Sequence, residues 1–241
     1  MHLKGQMDDS GEGRRGCGPL IPPLSDTLRP LRQQVFERVR AAGLIPRVQV
    51  AKDLGVSPAS VTTITQELIE AGLIEEVAAA RDLDQGRGRP AVSLGVRANA
   101  HRVAGMKLSD REHTAVIVDF AGNLIADDVI PRRPGPMALA EILAAIETLL
   151  DRVCAKAGIA RSQLSAVGIG VPGFVDSVAG MVMWSSVLTE RAVPLAAVAQ
   201  ARLNLPVTVD NDANLVTLAE LWFGAGPVSY THLTLPTKRI V

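Results

Sequence analysis

The chain has 241 residues, of which 47% are hydrophobic, and its 25 Lys and Arg residues balance its 25 Asp and Glu residues. This length gives room for one or two globular domains, each with its own core. The zero net charge argues against a purely electrostatic nucleic-acid binder, so any contact with DNA must come from local placement of residues. No apolar run reaches the roughly 18 to 20 residues that cross a bilayer. Because Cys17 and Cys154 form no disulfide framework, we expect a soluble cytoplasmic protein with no membrane partner.

The first predicted element follows a tail. Residues 1–24 mix Gly, Pro, Asp and Arg without periodicity, which predicts a disordered segment. Over residues 27–42 apolar side chains recur at three- and four-residue spacing, which predicts an amphipathic helix that ends at Gly43. The apolar positions of this helix are Leu28, Leu31, Val35, Phe36 and Val39.

A helix-turn-helix pattern comes next. Gly55 allows a turn of about three residues after a short helix, and Ser57-Pro58 are a good N-cap and first residue for the second helix. One side of that second helix is apolar and the opposite side is small and polar, which suits entry into a DNA groove. An ordinary pair of core helices is the alternative. The predicted DNA-contacting residues here are Arg47, Ser57, Ala59, Ser60, Thr62, Thr63 and Gln66.

A predicted two-stranded wing follows, with strands at residues 73–77 and 91–94. Its loop contains Arg87, Gly88 and Arg89, a slim cationic tip that can lie in a narrow A·T-rich minor groove. A flexible solvated loop is the alternative interpretation. Residues 25–95 therefore predict a winged helix-turn-helix DNA-binding domain, joined through a linker at residues 96–100 to a second domain.

The second domain, residues 101–226, alternates strands and helices. Three short apolar runs at residues 101–108, 114–120 and 123–130 predict an antiparallel meander. The later elements complete a multi-domain α/β protein with a layered sheet. These are a helix at 139–158, a strand at 164–171, a hairpin at 175–183, a helix at 194–203, a strand at 207–210 and a helix at 213–223.

Polar residues at one predicted strand end form a candidate ligand site. Asp212 falls where a strand gives way to a helix, and its carboxylate can accept hydrogen bonds from sugar hydroxyls. Asn211 offers both a donor and an acceptor, and Pro172-Gly173 allows backbone to approach a ligand. Plain helix capping by residues 210–213 is the alternative, and both roles can hold together.

Taken together, the motifs resemble the ROK family of repressors and sugar kinases, in its winged-helix xylose and N-acetylglucosamine repressor branch. The resemblance spans about residues 28–226. It rests on the helix-turn-helix, Gly86–Pro90, Val118–Asn123, Gly168–Gly173, and Val209–Asn214 with Glu220 and Gly224. It implies a ribonuclease-H-like, actin-like lobe that binds a sugar and, in kinase members, ATP. The sugar-binding residues that it implies are Pro172, Gly173, Asn211, Asp212 and Glu220, and Asp212 aligns with the kinase general base.

Two departures from the family pattern affect the predicted activity. Where the family's kinases have an Asp-x-Gly-Gly-Thr type phosphate loop, this chain reads Gly105-Met106-Lys107-Leu108-Ser109-Asp110-Arg111. Bulky side chains replace the backbone cradle that binds phosphate, so we expect no enzyme activity, no catalytic residue, no cofactor and no metal. The second lobe and zinc motif of the family are missing, and residues 227–241 resemble a non-native tail, which predicts a C-terminally truncated chain.

The sequence thus predicts a sugar-responsive transcriptional regulator, a repressor of carbohydrate-metabolism genes. Its expected partners are double-stranded operator DNA with A/T-rich flanks, a monosaccharide or amino-sugar effector, and a second copy of the chain in a full-length homodimer. Two alternatives stay open. One is a ROK-type sugar kinase that carries a DNA-binding head, and the other is a DNA-binding fragment that does not respond to an effector.

Overall fold

A computed structural model of the chain describes residues 30–78 and 92–223. These residues form two units with separate buried apolar clusters, a head (residues 30–78 and 92–96) and a lobe (residues 102–223). The predicted tails at residues 1–24 and 227–241 and the predicted wing tip at residues 86–90 lie outside the described residues. Among the helices that the structure describes, none has the length and apolar character to span a membrane.

The head combines three helices with a three-stranded antiparallel sheet in the order β1-β3-β2. Val35 and Val39 of the first helix are fully buried against Val61 and Leu68 of the third. This packing follows from apolar residues that recur on one side of each helix. The elements are α1 (Leu31–Ala42), β1 (Leu44–Pro46), α2 (Arg47–Leu54), α3 (Pro58–Glu70), β2 (Ile74–Ala78) and β3 (Val92–Val96).

Two sequence-based predictions for the head are corrected by the structure. The predicted helix over residues 27–42 ran through Pro30. Pro30 has extended backbone angles (φ −54°, ψ 139°), so helix α1 begins at Leu31. The predicted two-stranded wing belongs to a three-stranded sheet, since β1 pairs with β3 from Leu44 opposite Gly95 to Pro46 opposite Ser93. A strand of three residues carries too little periodicity to be predicted.

The lobe contains a five-stranded mixed sheet in the order β10-β7-β4-β5-β6. Strands β4, β5 and β6 form the predicted antiparallel meander, while β4, β7 and β10 run parallel. A separate hairpin joins β8 and β9. The elements are β4 (Arg102–Leu108), β5 (Glu112–Asp119), β6 (Leu124–Pro131), α4 (Leu139–Ala157), β7 (Ala166–Val171), β8 (Phe174–Asp176), β9 (Met181–Trp184), α5 (Leu195–Leu203), β10 (Val207–Asn211) and α6 (Asp212–Phe223).

Side-chain alternation gives the lobe sheet two different faces. On β7, Val167 and Ile169 join the buried cluster with residues of α4 and α5. Gly168 and Gly170 occupy the opposite face, where α6 packs so closely that a Cβ on Gly170 would lie 2.9 Å from Leu215 Cδ1. Strand β7 begins two residues later than predicted, after a short 3₁₀ turn at Arg161–Gln163. The carboxyl ends of β7 and β10 emerge beside α6.

Candidate functional site

The exposed face of α3 is the first candidate site. Ser57 caps the helix, because its Oγ accepts a hydrogen bond from the backbone N–H of Ser60 at 3.1 Å, and Pro58 occupies the first turn. The inner side of α3 is buried, with Val61 fully buried and Leu68 1% exposed. Most of the predicted DNA contacts on and beside this helix are exposed, and Ser60 is half-buried. The exposed ones are Ser57, Ala59, Thr62, Thr63 and Gln66.

Hydrogen bonds define what this face offers to a partner. Thr62 and Thr63 donate their hydroxyl protons back to the carbonyls of Pro58 (2.8 Å) and Ala59 (3.2 Å). Their oxygens remain available as acceptors, and their methyl groups can meet a thymine methyl. Gln66 donates its amide to Glu70 at 3.0 Å. The face therefore has mainly acceptor and methyl character in this conformation.

Arg47, a predicted DNA contact, is half-buried and bonded to other residues of the head. Its Nε donates to Thr65 Oγ1 at 3.0 Å, and its Nη1 lies 2.6 Å from Glu76 Oε1. Thr65 is fully buried and also donates to the carbonyl of Thr62 at 3.1 Å. The arginine thus ties the start of α2 to α3 and β2, a structural role that sequence periodicity did not reveal. Its contact with DNA stays a prediction.

The remaining predicted DNA contacts fall in the loop between β2 and β3. Ala78 pairs with Val92, so the chain leaves and returns at neighbouring positions on the sheet. Arg87, Gly88 and Arg89 themselves lie outside the described residues.

The second candidate site lies at the carboxyl ends of β7 and β10. These strands run parallel with Asn211 opposite Val171, which brings Pro172-Gly173 and Asn211-Asp212 to the same edge of the sheet. Gly173 has φ of +127°, and a Cβ there would lie 2.1 Å from the carbonyl oxygen of Trp184. Only glycine fits this turn.

Asn211 joins the two strand ends. Its amide nitrogen donates to the carbonyl of Gly173 at 2.7 Å, and its Oδ1 accepts from the backbone N–H of Ala213 at 2.9 Å. Asp210 supports the same turn, because its Oδ1 accepts from the side-chain amide of Asn214 at 3.1 Å. The helix-capping interpretation therefore holds for Asn211. Its contact with a sugar stays a prediction.

Asp212 differs from its neighbours. Its partly exposed carboxylate has no hydrogen bond or ion pair with the described residues, and it lies in the first turn of α6. The oxygens of its carboxyl group are hydrogen-bond acceptors, which a ligand hydroxyl could use. Glu220, the last predicted sugar contact, belongs to the same helix two turns further on.

Residues 105–111 stand where the family's kinases have their phosphate loop, and the sequence predicts that this segment has lost that role. Lys107 lies on β4 and is exposed. In the following turn, the carbonyl of Ser109 accepts a hydrogen bond from Arg132 Nη1 at 3.0 Å, and Asp110 Oδ1 accepts from Ser186 Oγ at 3.1 Å. Both atoms are oxygen acceptors, which do not bind a phosphate, and the backbone N–H of Ser109, a donor that a phosphate could use, is directed to His113 Nδ1 at 3.4 Å. Across the parts of the chain that the structure describes, no three His, Cys, Asp or Glu side chains are grouped to hold a metal.

Comparison with known proteins decides the family. Residues 104–234 match the ROK family, which is more than half of the chain. The chain belongs to the ROK family. A crystal structure of a ROK family transcriptional regulator, a homologue of the Escherichia coli Mlc protein, superposes with a TM-score of 0.61 at 28% identity, over 79% of this chain and 47% of that one.

Two curated relatives of this ROK chain are named regulators. The xylose repressor of Caldicellulosiruptor bescii is 29% identical over 181 residues, which are 75% of this chain and 44% of the repressor. The DNA-binding transcriptional dual regulator NagC of Escherichia coli K12 is 28% identical over 221 residues, 91% of this chain and 51% of NagC. The chain thus spans about half the length of the curated relatives it matches.

Proposed function

We propose that this ROK chain is a sugar-responsive, DNA-binding transcriptional regulator that represses carbohydrate-metabolism genes. In this proposal the head is a winged helix-turn-helix. Its helix α3 enters the major groove, Arg87 and Arg89 enter an adjacent A·T-rich minor groove, and a sugar bound near Asp212 changes the affinity for DNA. The full-length protein binds a two-fold operator as a homodimer.

The observation that carries this proposal is the surface of α3. Four small or amide side chains cover its exposed side, while Val61 and Leu68 anchor the other side in the head core. A capped helix of this kind, preceded by a three-residue turn from α2, has the geometry of a recognition helix. The names of the xylose repressor and of NagC support the same reading.

The ligand half of the proposal rests on the strand-end site. Asp212 supplies a partly exposed carboxylate that has no hydrogen bond or ion pair with the described residues, and Pro172-Gly173 lies at the same edge of the sheet. Vicinal hydroxyls of a monosaccharide or an N-acetyl amino sugar match such acceptors. Phosphoryl transfer is disfavoured because Lys107 and the hydrogen-bonded turn after it replace a phosphate cradle.

The DNA half is tested by selecting binding sites for the chain from random duplexes and titrating the selected site at fixed salt. We expect an A·T-flanked inverted repeat, and we expect the pair Arg87→Ala/Arg89→Ala to weaken binding by about tenfold or more. The pair Arg111→Ala/Arg191→Ala is the matched control, since it removes two exposed lobe arginines and the same charge. Equal weakening by both pairs would contradict groove contact by the wing.

The ligand half is tested by titrating DNA binding with a panel of aldoses and N-acetyl amino sugars. Asp212→Asn should abolish the response, whereas Asp127→Asn, which removes an exposed carboxylate from β6, should not. Transfer of phosphate from ATP to a sugar would favour the kinase alternative. DNA binding that no sugar alters would favour a module that does not respond to an effector.

A further inference from the structure

One aromatic contact joins the head to the lobe. The ring of Phe36 in α1 stacks on the ring of Phe120, with centroids 5.5 Å apart and planes 25° from parallel. His101 packs edge-on against Phe120 at 4.9 Å, and the Arg40 guanidinium lies 5.7 Å from the centre of the Phe36 ring. Phe36 packs against the head core, while Phe120 is absent from the residues that build the lobe core. The lobe therefore presents Phe120 to the head.

The turn that carries Phe120 is tightly braced. Asp119 Oδ1 accepts hydrogen bonds from the backbone N–H groups of Ala121 and Asn123, both at 2.9 Å, and Gly122 adopts a positive φ of 87°. The backbone N–H of Phe120 donates to the carbonyl of Ala98 in the segment between head and lobe, at 2.9 Å. The ring thus has a fixed direction, and it is linked both to the head and to the connecting segment.

The same contact is connected to the strand that leads to the ligand site. His101 Nδ1 lies 2.8 Å from Ser165 Oγ, and Ser165 immediately precedes β7. The far end of β7 is Val171, beside Pro172-Gly173. Along an extended strand this separation is about 20 Å. The His101–Ser165 contact and the candidate ligand site thus lie at opposite ends of β7, so the lobe sheet connects a ligand near Asp212 with the surface on which the head rests.

We propose that Phe120 is a positioning residue that docks the head on the lobe through Phe36, and that forming or breaking this stack carries the ligand signal to the DNA-binding surface. A single aromatic pair changes the ratio of docked to undocked states by roughly 2- to 10-fold. That is small enough for a ligand with different affinity for the two states to shift the balance. This inference rests on the proposed function, but docking itself does not.

The first test measures docking without DNA or sugar. ¹⁵N relaxation should give head and lobe amides one rotational correlation time in the wild type, and Phe120→Ala should shorten that of the head alone. Phe120→Tyr keeps the ring and should restore common tumbling. Leu124→Ala removes an exposed apolar side chain from the same hairpin and should have no effect. Independent tumbling in the wild type, or no change with Phe120→Ala, would overturn the docking role.

The second test measures coupling as the fold-change in DNA affinity on adding the effector sugar. Phe120→Ala should bring this ratio towards one while the sugar affinity of the lobe stays within about twofold of wild type. An unchanged ratio would overturn the coupling role even if docking is confirmed. A wild type without any sugar response would refute the proposed function and the coupling together, and the relaxation result would still decide the docking role.

Discussion

At the scale of single residues, His113 has a pKa far below the usual value for histidine, because its side chain is buried. Its side chain is 1% exposed, and its Nδ1 accepts a hydrogen bond from the Ser109 backbone N–H at 3.4 Å. The neutral ring therefore carries its proton on Nε2, which has no partner among the described residues. Burial, aided by the nearby positive charge of Arg132, lowers the pKa of His113 to about 4.

This shift predicts a pH dependence of stability. The unfolded chain protonates the imidazole below its usual pKa of about 6.5, while the folded chain resists protonation down to about pH 4. Stability should fall between pH 6.5 and 4, by at most about 3 kcal/mol, and His113→Leu should remove that part of the loss. Urea unfolding at pH 7.5 and 4.5 measures it. Hydrogen bonds from Lys156 and Arg152 lower the pKa of Asp128 to about 2. Protonation of Asp128 therefore lowers the stability only below about pH 4, outside the range of this measurement. Equal losses in wild type and variant would contradict the prediction.

At the scale of elements, prediction succeeded where local chemistry determines the backbone. The Ser57-Pro58 pair predicted the start of α3, and the period of apolar residues predicted the end of α4 to within one residue, because capping and amphipathicity are local. Strand β1 escaped prediction, since Leu44–Pro46 is a strand only through its pairing with β3. Sequence period carries no information about such a distant partner.

The turn between β7 and β8 gives a prediction at this scale. Gly173→Ala should destabilise the lobe by about 2 to 3 kcal/mol and abolish ligand binding, because the turn requires a positive φ and the new Cβ would collide with the Trp184 carbonyl. Gly168→Ala is the matched control. Its Cβ would meet only Thr208 Oγ1 at 3.8 Å, so stability should hold or rise slightly. Urea denaturation and sugar titration measure both, and equal effects would refute the steric argument.

At the scale of the whole molecule, the sequence predicted which residues share the edge of the sheet that holds the candidate site, but not the hydrogen bonds between them. That β7 and β10 end side by side follows from their parallel pairing, and the motifs placed Gly173 and Asn211 at their ends. The bond from Asn211 to the Gly173 carbonyl and the Phe36–Phe120 stack join residues 38 and 84 positions apart, which only the folded chain reveals. Such contacts depend on tertiary geometry. A family motif therefore identifies the residues of a site but not the residues that they contact.

The division into two cores predicts how the molecule unfolds. Among the residues that the structure describes, 9 buried residues form the head core and 25 form the lobe core, with none in common. Since less apolar area supports the head, amide exchange in urea should show α1–α3 opening at lower denaturant than β4, β5 and β7.

The effector sugar at 100 times its dissociation constant should raise the free energy of opening measured for lobe amides by about 2.7 kcal/mol. The protection of head amides should rise only to the extent that the Phe36–Phe120 stack couples the head to the lobe. Phe120→Ala should remove that rise. A single transition with uniform protection would mean that the two cores unfold as one cooperative unit.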